Sequence, residues 1–308
     1  MKIAVVGAGG VGGYFGGLLA HAGHEVTFLA RGEHLQAIRQ RGLQVKSTTH
    51  GEFTISPAKA EEDPARVGPA DYVVVAVKTY HLETIAPMLR PMVGPQSAVI
   101  PLSNGVTAHE VLRAHLPKAS VVGGLCAVFS QIEAPGVIRM GGNVKTVVVG
   151  ELEGPPSERL DRIVAAWKGQ GVEASQSDDI LAALWTKFLF IASTGGITSL
   201  ARVPVSGVRS QPPTRDLLIE AFREVEAVAR AKGIRLATDV VDKTLKMVDG
   251  LDPQVTTSMQ RDVAAGKPFE LEAFSGAILR AGREAGAATP VHAAMYALLL
   301  PALRQATA

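Results

Sequence analysis

Cysteine is almost absent: Cys126 is the only one in 308 residues. A single thiol excludes an internal disulfide and a multi-cysteine metal cage, and it fits a reducing compartment, so the cytoplasm is the expected location. Cys126 itself reads as a small buried hydrophobe rather than a nucleophile. An excess of charge of either sign is lacking as well. Lys and Arg total 31 against 29 Asp and Glu, with no basic block, which leaves a general nucleic-acid or membrane-surface role without electrostatic support. No segment is low in complexity and no internal repeat is apparent. With 47% hydrophobic and 19% charged residues, the chain is expected to fold throughout, as two domains or one large α/β unit.

A leader and a membrane span are not expected either. The apolar run after Met1-Lys2 breaks into Gly7, Gly9 and Gly10, where a signal peptide would carry a cleavage site. The most apolar stretch, Ile180 to Ala201, contains Lys187, several Ser and Thr and a Gly pair, which suits a buried helix better than a span.

What is present is an alternation. Apolar, β-branched runs at Ile3 to Val6, Val26 to Leu29, Val73 to Val77 and Val99 to Leu102 suit parallel strands covered on both faces. Helical patterns fall between them near Val11 to Ala22, His81 to Arg90 and Thr107 to His115. That order predicts right-handed βαβ units in a Rossmann-type doubly wound α/β sheet. Gly136 to Met140 and Thr146 to Val149, separated by Gly141-Gly142-Asn143-Val144-Lys145, read as an antiparallel hairpin at the sheet edge. After Asp178 helical periodicity takes over, at Ile180 to Ile191, Leu217 to Lys232, Val240 to Val248 and Phe269 to Glu284. The expected organisation is a dinucleotide-binding domain over 1–176 and an all-helical C-terminal domain over 177–308.

Gly7-Ala8-Gly9-Gly10-Val11-Gly12 supplies a G-x-G-x-x-G spacing directly after a strand and before an apolar helix. Gly7 permits the tight turn, Gly9 lets backbone approach a pyrophosphate, Gly12 allows close helix–strand packing, and the helix N-terminus stabilises the anion. A site for NAD is expected to end its second strand with an acid that reads the ribose 2′-hydroxyl. Here Val26 to Leu29 runs into Ala30-Arg31. A guanidinium offers a planar fork of donors to a 2′-phosphate, so NADPH is the expected cofactor. Glu33 is the alternative, as the acid of an NAD site. His34 could add to the phosphate site or stand as an exposed histidine at a helix start.

Between Asp179 and Arg202 the only charged side chain is Lys187. A lysine among so many apolar neighbours either snorkels to solvent or sits in a polar cavity. In a cavity, desolvation lowers its pKa and suits it to general-acid work. The residues alone leave both readings open.

Taken in order, these segments resemble the ketopantoate reductase family (2-dehydropantoate 2-reductase) nearly from end to end. The resemblance is carried by the fingerprint with Arg31, Val75-Ala76-Val77-Lys78-Thr79-Tyr80, Pro101-Leu102-Ser103-Asn104-Gly105-Val106 and Pro135-Gly136-Val137-Ile138. It continues through Leu184-Trp185-Thr186-Lys187-Phe188, Thr257-Ser258-Met259-Gln260-Arg261-Asp262 and Lys267-Pro268-Phe269-Glu270-Leu271-Glu272, then a helix containing Gly276. What the resemblance implies is NADPH-dependent reduction of a 2-oxo acid, 2-dehydropantoate to pantoate, a step of pantothenate biosynthesis. It implies Lys187 as the general acid that protonates the developing alkoxide. It implies that Asn104 bridges the cofactor ribose and the substrate, that Lys78 lies along the cofactor, and that Ser258 hydrogen-bonds the substrate. Glu270 would organise the cofactor and the lysine end of the cleft.

Each of these residues has a plainer reading beside it: Asn104-Gly105 as a turn, Lys78 as a surface lysine, Ser258 as a helix N-cap, Glu270 as an exposed helix-start carboxylate. The partner expected is a small-molecule 2-oxo acid, with no nucleic acid and no membrane, and a homodimer is compatible with the sequence.

The pattern departs from the pantoate-making enzymes at three places. Ile191, Gly195 and Val205 stand where that family carries asparagines that hold the substrate. Losing those amides weakens hydroxyl recognition and favours a more apolar 2-oxo acid. Two other functions remain open at this stage: a related dehydrogenase with a Rossmann and a helical domain acting on another oxo or hydroxy acid, and a module that holds NADPH without turnover.

Overall fold

The structure is a computed structural model that describes residues 1–307. In chain order its elements begin β1 (Lys2–Val6), α1 (Gly10–His21), β2 (Glu25–Leu29), α2 (Gly32–Arg41), β3 (Leu43–Ser47), β4 (Gly51–Ile55) and β5 (Lys59–Glu61). There follow β6 (Ala70–Val75), α3 (Leu82–Ile85), β7 (Val93–Pro101), α4 (Ala108–His115), β8 (Gly123–Ala134), β9 (Val137–Gly150), α5 (Glu158–Gly169) and β10 (Glu173–Gln176). The remainder is helical: α6 (Ile180–Ala201), α7 (Val205–Arg209), α8 (Pro212–Ala231), α9 (Val240–Asp249), α10 (Ser258–Ala264), α11 (Ala277–Ala285) and α12 (Pro290–Thr307). The chain divides into two compact units, one of residues 1–104 and 108–180, the other of 105–107 and 181–308.

The first unit holds two sheets. In the first sheet the order is β5-β2-β1-β6-β7, every pair parallel. That is the doubly wound arrangement expected from the alternation, with β1 central and the direction of winding reversed beside it. Both faces of β1 and β6 are covered, so their residues are almost wholly buried. On one side lie Leu82, Ile85, Leu89 and Leu112. On the other lies α1, which fits against the sheet because a Cβ at Gly16 would stand 2.7 Å from Val5. The second sheet packs on the outer side of the same helix, where a Cβ at Gly17 would stand 3.0 Å from Val45 of β3.

That second sheet corrects the expected hairpin. Gly136 to Met140 and Thr146 to Val149 do not pair with each other; from Val137 on, both belong to the single strand β9, and both pair antiparallel with β8. The register jumps from Val128 opposite Lys145 to Phe129 opposite Gly141. Residues 142–144 are therefore extruded as a bulge, with Gly142 at φ 70°, rather than forming a reversal. β9 also pairs in parallel with β3 through its first half and with β10 through its second.

The second unit contains no strand among the described residues. Its long helix α6 is apolar and long enough to cross a membrane by length and composition, but most of it is buried in the protein, as befits a core helix. The periodicity over Phe269 to Glu284 resolves into two pieces, a π-helical turn at Glu272–Gly276 and then α11. Near His81 to Arg90 the helix is α for one turn only, after which Pro87 and Pro91 hold it to 3₁₀ turns over Ala86–Met92. The final helix, α12, starts where the Glu224 carboxylate accepts the N–H groups of Val291 and His292 at 2.6 and 3.0 Å, satisfying two of the orphan donors of a helix N-terminus.

Candidate active site

Four expected cofactor segments lie in the first unit, and topology brings them to one edge. The fingerprint turn follows β1, Arg31 follows β2, Lys78 follows β6 and Asn104 follows β7. Because these strands are parallel neighbours in the order β2-β1-β6-β7, all four segments leave the carboxyl ends of the sheet. In open α/β sheets that edge binds ligands at the point where winding reverses, here between β1 and β6.

The fingerprint turn is shaped by backbone crowding. Gly7 has φ 94°, and the Val77 side chain lies 2.9 Å from where its Cβ would stand. Its N–H and that of Ala8 both donate to the Leu29 carbonyl at 3.1 Å, tying the turn to the end of β2. A Cβ at Gly12 would collide with the Gly7 carbonyl oxygen, and one at Gly10 with the Ser130 carbonyl oxygen of β8. Gly9 differs: a Cβ there would meet nothing within 4 Å. This open flank adjoins the start of α1, which has no side-chain cap and no acid in its first turn. An uncapped helix N-terminus with open space beside Gly9 suits a pyrophosphate, so the residues present fit a dinucleotide.

Arg31 is exposed in extended backbone directly before α2, with Glu33 exposed in the first turn behind it. Burial, and then the charge of Arg31, hold the His81 pKa below its ordinary value. The exposed guanidinium after β2 offers a planar fork of donors that suits a 2′-phosphate dianion better than a neutral ribose hydroxyl. His34 is not the exposed helix-start histidine of one sequence reading. Its ring is half-buried, with Nε2 2.8 Å from the Ala8 carbonyl oxygen and Nδ1 accepting the Gly136 N–H at 3.0 Å. Lys78 and Asn104 are half-buried, and their segments are stitched together. The buried Ser103 hydroxyl donates to the Val77 carbonyl at 2.6 Å, and the Leu102 N–H donates to that of Val75 at 2.7 Å. Gly105, at φ 92°, makes the turn that the Asn-Gly pair predicts. Ser103 was not among the expected site residues; its partner comes from another strand.

In the second unit Lys187 is half-buried on α6, flanked by the buried Leu184, Trp185, Phe188 and Leu189. The same unit holds Ser258 and Glu270, on segments that pack along this helix. Phe188 meets Phe274 edge-on at 6.2 Å, and Thr198 hydrogen-bonds Thr257 at 3.2 Å. Thr257, not Ser258, is the N-cap of α10, accepting the Gln260 N–H at 3.1 Å. Ser258 is the first helical residue and is half-buried. Glu270 is 4% exposed, so it is not the surface carboxylate of the plainer reading, and it lies two residues before the π-helical turn at Glu272–Gly276, a feature frequent at functional sites. Of the three positions that depart from the family pattern, Ile191 is half-buried one turn beyond Lys187, and Val205 is fully buried with its N–H on the Val255 carbonyl. Gly195 faces Met259 and Phe274, whose atoms lie 3.6 to 3.7 Å from a Cβ placed there. Apolar side chains therefore line the helix where amides were expected, and neither Met259 nor Phe274 carried a signal in the sequence beyond its hydrophobicity.

Comparison with known proteins covers both units. The family described as ketopantoate reductase PanE/ApbA matches residues 3–154, and its C-terminal counterpart matches 179–302. An uncharacterized oxidoreductase of Bacillus subtilis is 30% identical over 97% of this chain and 98% of its own. A 2-dehydropantoate 2-reductase of Halobacterium salinarum is 31% identical over 94% and 95%. The crystal structure of a PanE/ApbA family ketopantoate reductase from Ralstonia eutropha superposes with a TM-score of 0.91 at 28% identity, covering 100% of both chains.

Replacing Arg31 with Ala is expected to raise the KM for NADPH far more than that for NADH. The difference should correspond to one lost charge-assisted contact, roughly 1.5 to 3 kcal/mol. Steady-state kinetics with both cofactors checks this, and equal effects on the two would remove Arg31 from the 2′-phosphate site.

Proposed function

The chain belongs to the ketopantoate reductase family of NADP-dependent oxidoreductases that act on CH–OH groups, and from that premise we propose that it reduces a 2-oxo acid to the 2-hydroxy acid with Lys187 as general acid. Residues 1–176 serve as the NADP-binding domain and 177–308 as the substrate and catalytic domain, working in the cytoplasm on a small-molecule acid. The observation that carries this reading is Lys187 itself, half-buried among apolar neighbours as the only charged side chain between Asp179 and Arg202.

NADPH, when bound, supplies the hydride. Lys187 then protonates the oxygen on which negative charge develops, and as a cation beside that oxygen it stabilises the transition state. Gly7, Ala8, Gly9, Gly10, Val11 and Gly12 would hold the pyrophosphate, Arg31 the 2′-phosphate, and Lys78 would lie along the cofactor. Asn104 would hydrogen-bond the cofactor ribose and the substrate, Ser258 the substrate, and Glu270 would order the cofactor and the lysine end.

For the substrate we propose that 2-dehydropantoate is reduced, giving pantoate for pantothenate biosynthesis, but that an oxo acid with a more apolar side chain is handled better. Ile191, with Gly195 lined by Met259 and Phe274, supports this, because a hydroxymethyl group left facing apolar side chains gains no hydrogen bond in place of water.

Lys187→Ala is expected to lower kcat by about 10² to 10⁴, the usual range for a lost general acid, with NADPH affinity nearly intact. Stopped-flow or steady-state rates at saturating NADPH test this; a kcat near wild type would make Lys187 an ordinary half-buried lysine. Ile191→Asn is expected to improve kcat/KM for 2-dehydropantoate, relative to an alkyl 2-oxo acid of similar size, by about 1 kcal/mol through one new hydrogen bond. Both substrates are compared side by side on both proteins. A wild type that already strongly prefers 2-dehydropantoate would show that other residues supply the contacts assigned here to absent amides.

A further inference from the structure

The fingerprint turn is held from outside its own sheet, by a residue that the proposed chemistry does not use. His34 lies one turn into α2, three positions after Arg31. Its Nδ1 accepts the N–H of Gly136, and a nitrogen that accepts carries no proton. The proton must then be on Nε2, which donates to the Ala8 carbonyl oxygen at 2.8 Å. Both partners are backbone, so the ring fixes the loop rather than another side chain. Ala8 stands between Gly7 and Gly9 and is 2% exposed. Gly136 is the turn between β8 and β9, held at φ 80° with its own carbonyl accepting the Gln44 N–H at 2.9 Å. A Cβ on Gly136 would stand 3.0 Å from that of Ala37, one turn after His34 on α2, so the turn sits close against this helix. The β8 strand touches the fingerprint a second time, where the Ser130 carbonyl crowds Gly10.

We propose that His34 is a positioning residue for the cofactor, a neutral imidazole clamped between the Ala8 carbonyl and the Gly136 N–H that keeps the Gly7–Gly12 turn in the shape that receives the pyrophosphate. The inference rests on the reading that this turn binds NADPH. Burial lowers the His34 pKa, against a smaller opposing effect of the bond to Ala8, which keeps the ring in the one form that satisfies both partners. Because α2 begins at the residue after Arg31, the same helix start sets the 2′-phosphate ligand and the clamp on the pyrophosphate turn. Removing the ring leaves a partly buried carbonyl and N–H unpaired, and the turn is then free to relax away from its binding shape.

The test uses the full-length protein and NADPH alone, titrated by cofactor fluorescence, followed by rates at saturating NADPH. His34→Leu fills the space without hydrogen bonds and is expected to raise the NADPH Kd about tenfold while kcat at saturation and the KM for the oxo acid change less than about twofold. His34→Gln, which keeps one donor and one acceptor, is expected to recover most of that affinity. In wild type, nitrogen-15 NMR should show the Nε2–H tautomer. An NADPH Kd unchanged in a folded His34→Leu protein would overturn the proposal, and so would a loss that Gln does not recover. A wild-type ring that is charged or protonated on Nδ1 would overturn it whether or not the variants fold. Failure of wild type to bind NADPH at all would instead overturn the cofactor reading beneath it.

Discussion

The tight passage from β1 into α1 is the constraint on which the first unit depends. The helix must start so close to the strand that the Gly7 carbonyl occupies the space a Cβ on Gly12 would need, and so close to β8 that the Ser130 carbonyl does the same for Gly10. Packing excludes a side chain at Gly7, Gly10 and Gly12, and among the glycines of the turn only Gly9 has open space beside it. The open flank at Gly9 is thus a by-product of how closely a helix can be wedged between two sheets. The second sheet therefore bears on the turn: the Ser130 carbonyl of β8 backs Gly10, and the Gly136 N–H, between β8 and β9, donates to His34, whose other ring nitrogen meets the Ala8 carbonyl.

Legibility in the sequence follows from where the information sits. Strands β1, β2, β6 and β7 are readable because each is buried on both faces and therefore continuously apolar. Strands β3, β4, β5 and β10 are not, since LQVKS, GEFTI, KAE and EASQ carry polar residues that only pairing with a neighbour makes strand-like. The Gly-Gly-Asn segment at 141–143 does mark an interruption, but a bulge and a reversal share the same glycine signal. Only the partner strand β8, itself unremarked in the sequence, distinguishes them. Helices are legible to the extent that their periodicity is unbroken, which explains the miss at Glu272–Gly276, where the π-helical turn shifts the repeat.

Site residues divide in the same way. Gly7 to Gly12 and Arg31 are local in sequence and appear as a motif. Lys187 stands out because it is a lone charge in an apolar helix, and that isolation is visible before any fold is known. His34 is visible only as a neighbour of Arg31, and Ser103, Met259 and Phe274 do not stand out at all. Each draws its meaning from a partner on another element: the Gly136 N–H for His34, the Val77 carbonyl for Ser103, and the flank of Gly195 for Met259 and Phe274. The three departures from the family pattern are legible as identities, yet their consequence emerges only when Gly195 is seen to face sulfur and an aromatic ring rather than an empty space.

The central claim is that hydride passes from NADPH to the carbonyl carbon of a 2-oxo acid on this protein. The most direct measurement follows the isotope: NADPH carrying deuterium at the transferable C4 position is incubated with the protein and a panel of 2-oxo acids that includes 2-dehydropantoate, and the products are examined by mass spectrometry. One deuterium at C2 of a 2-hydroxy acid, formed in step with NADPH oxidation and lost in Lys187→Ala, is the expected result. NADPH that binds but is not oxidised by any acid of the panel, or a 2-hydroxy acid without deuterium at C2, would contradict it.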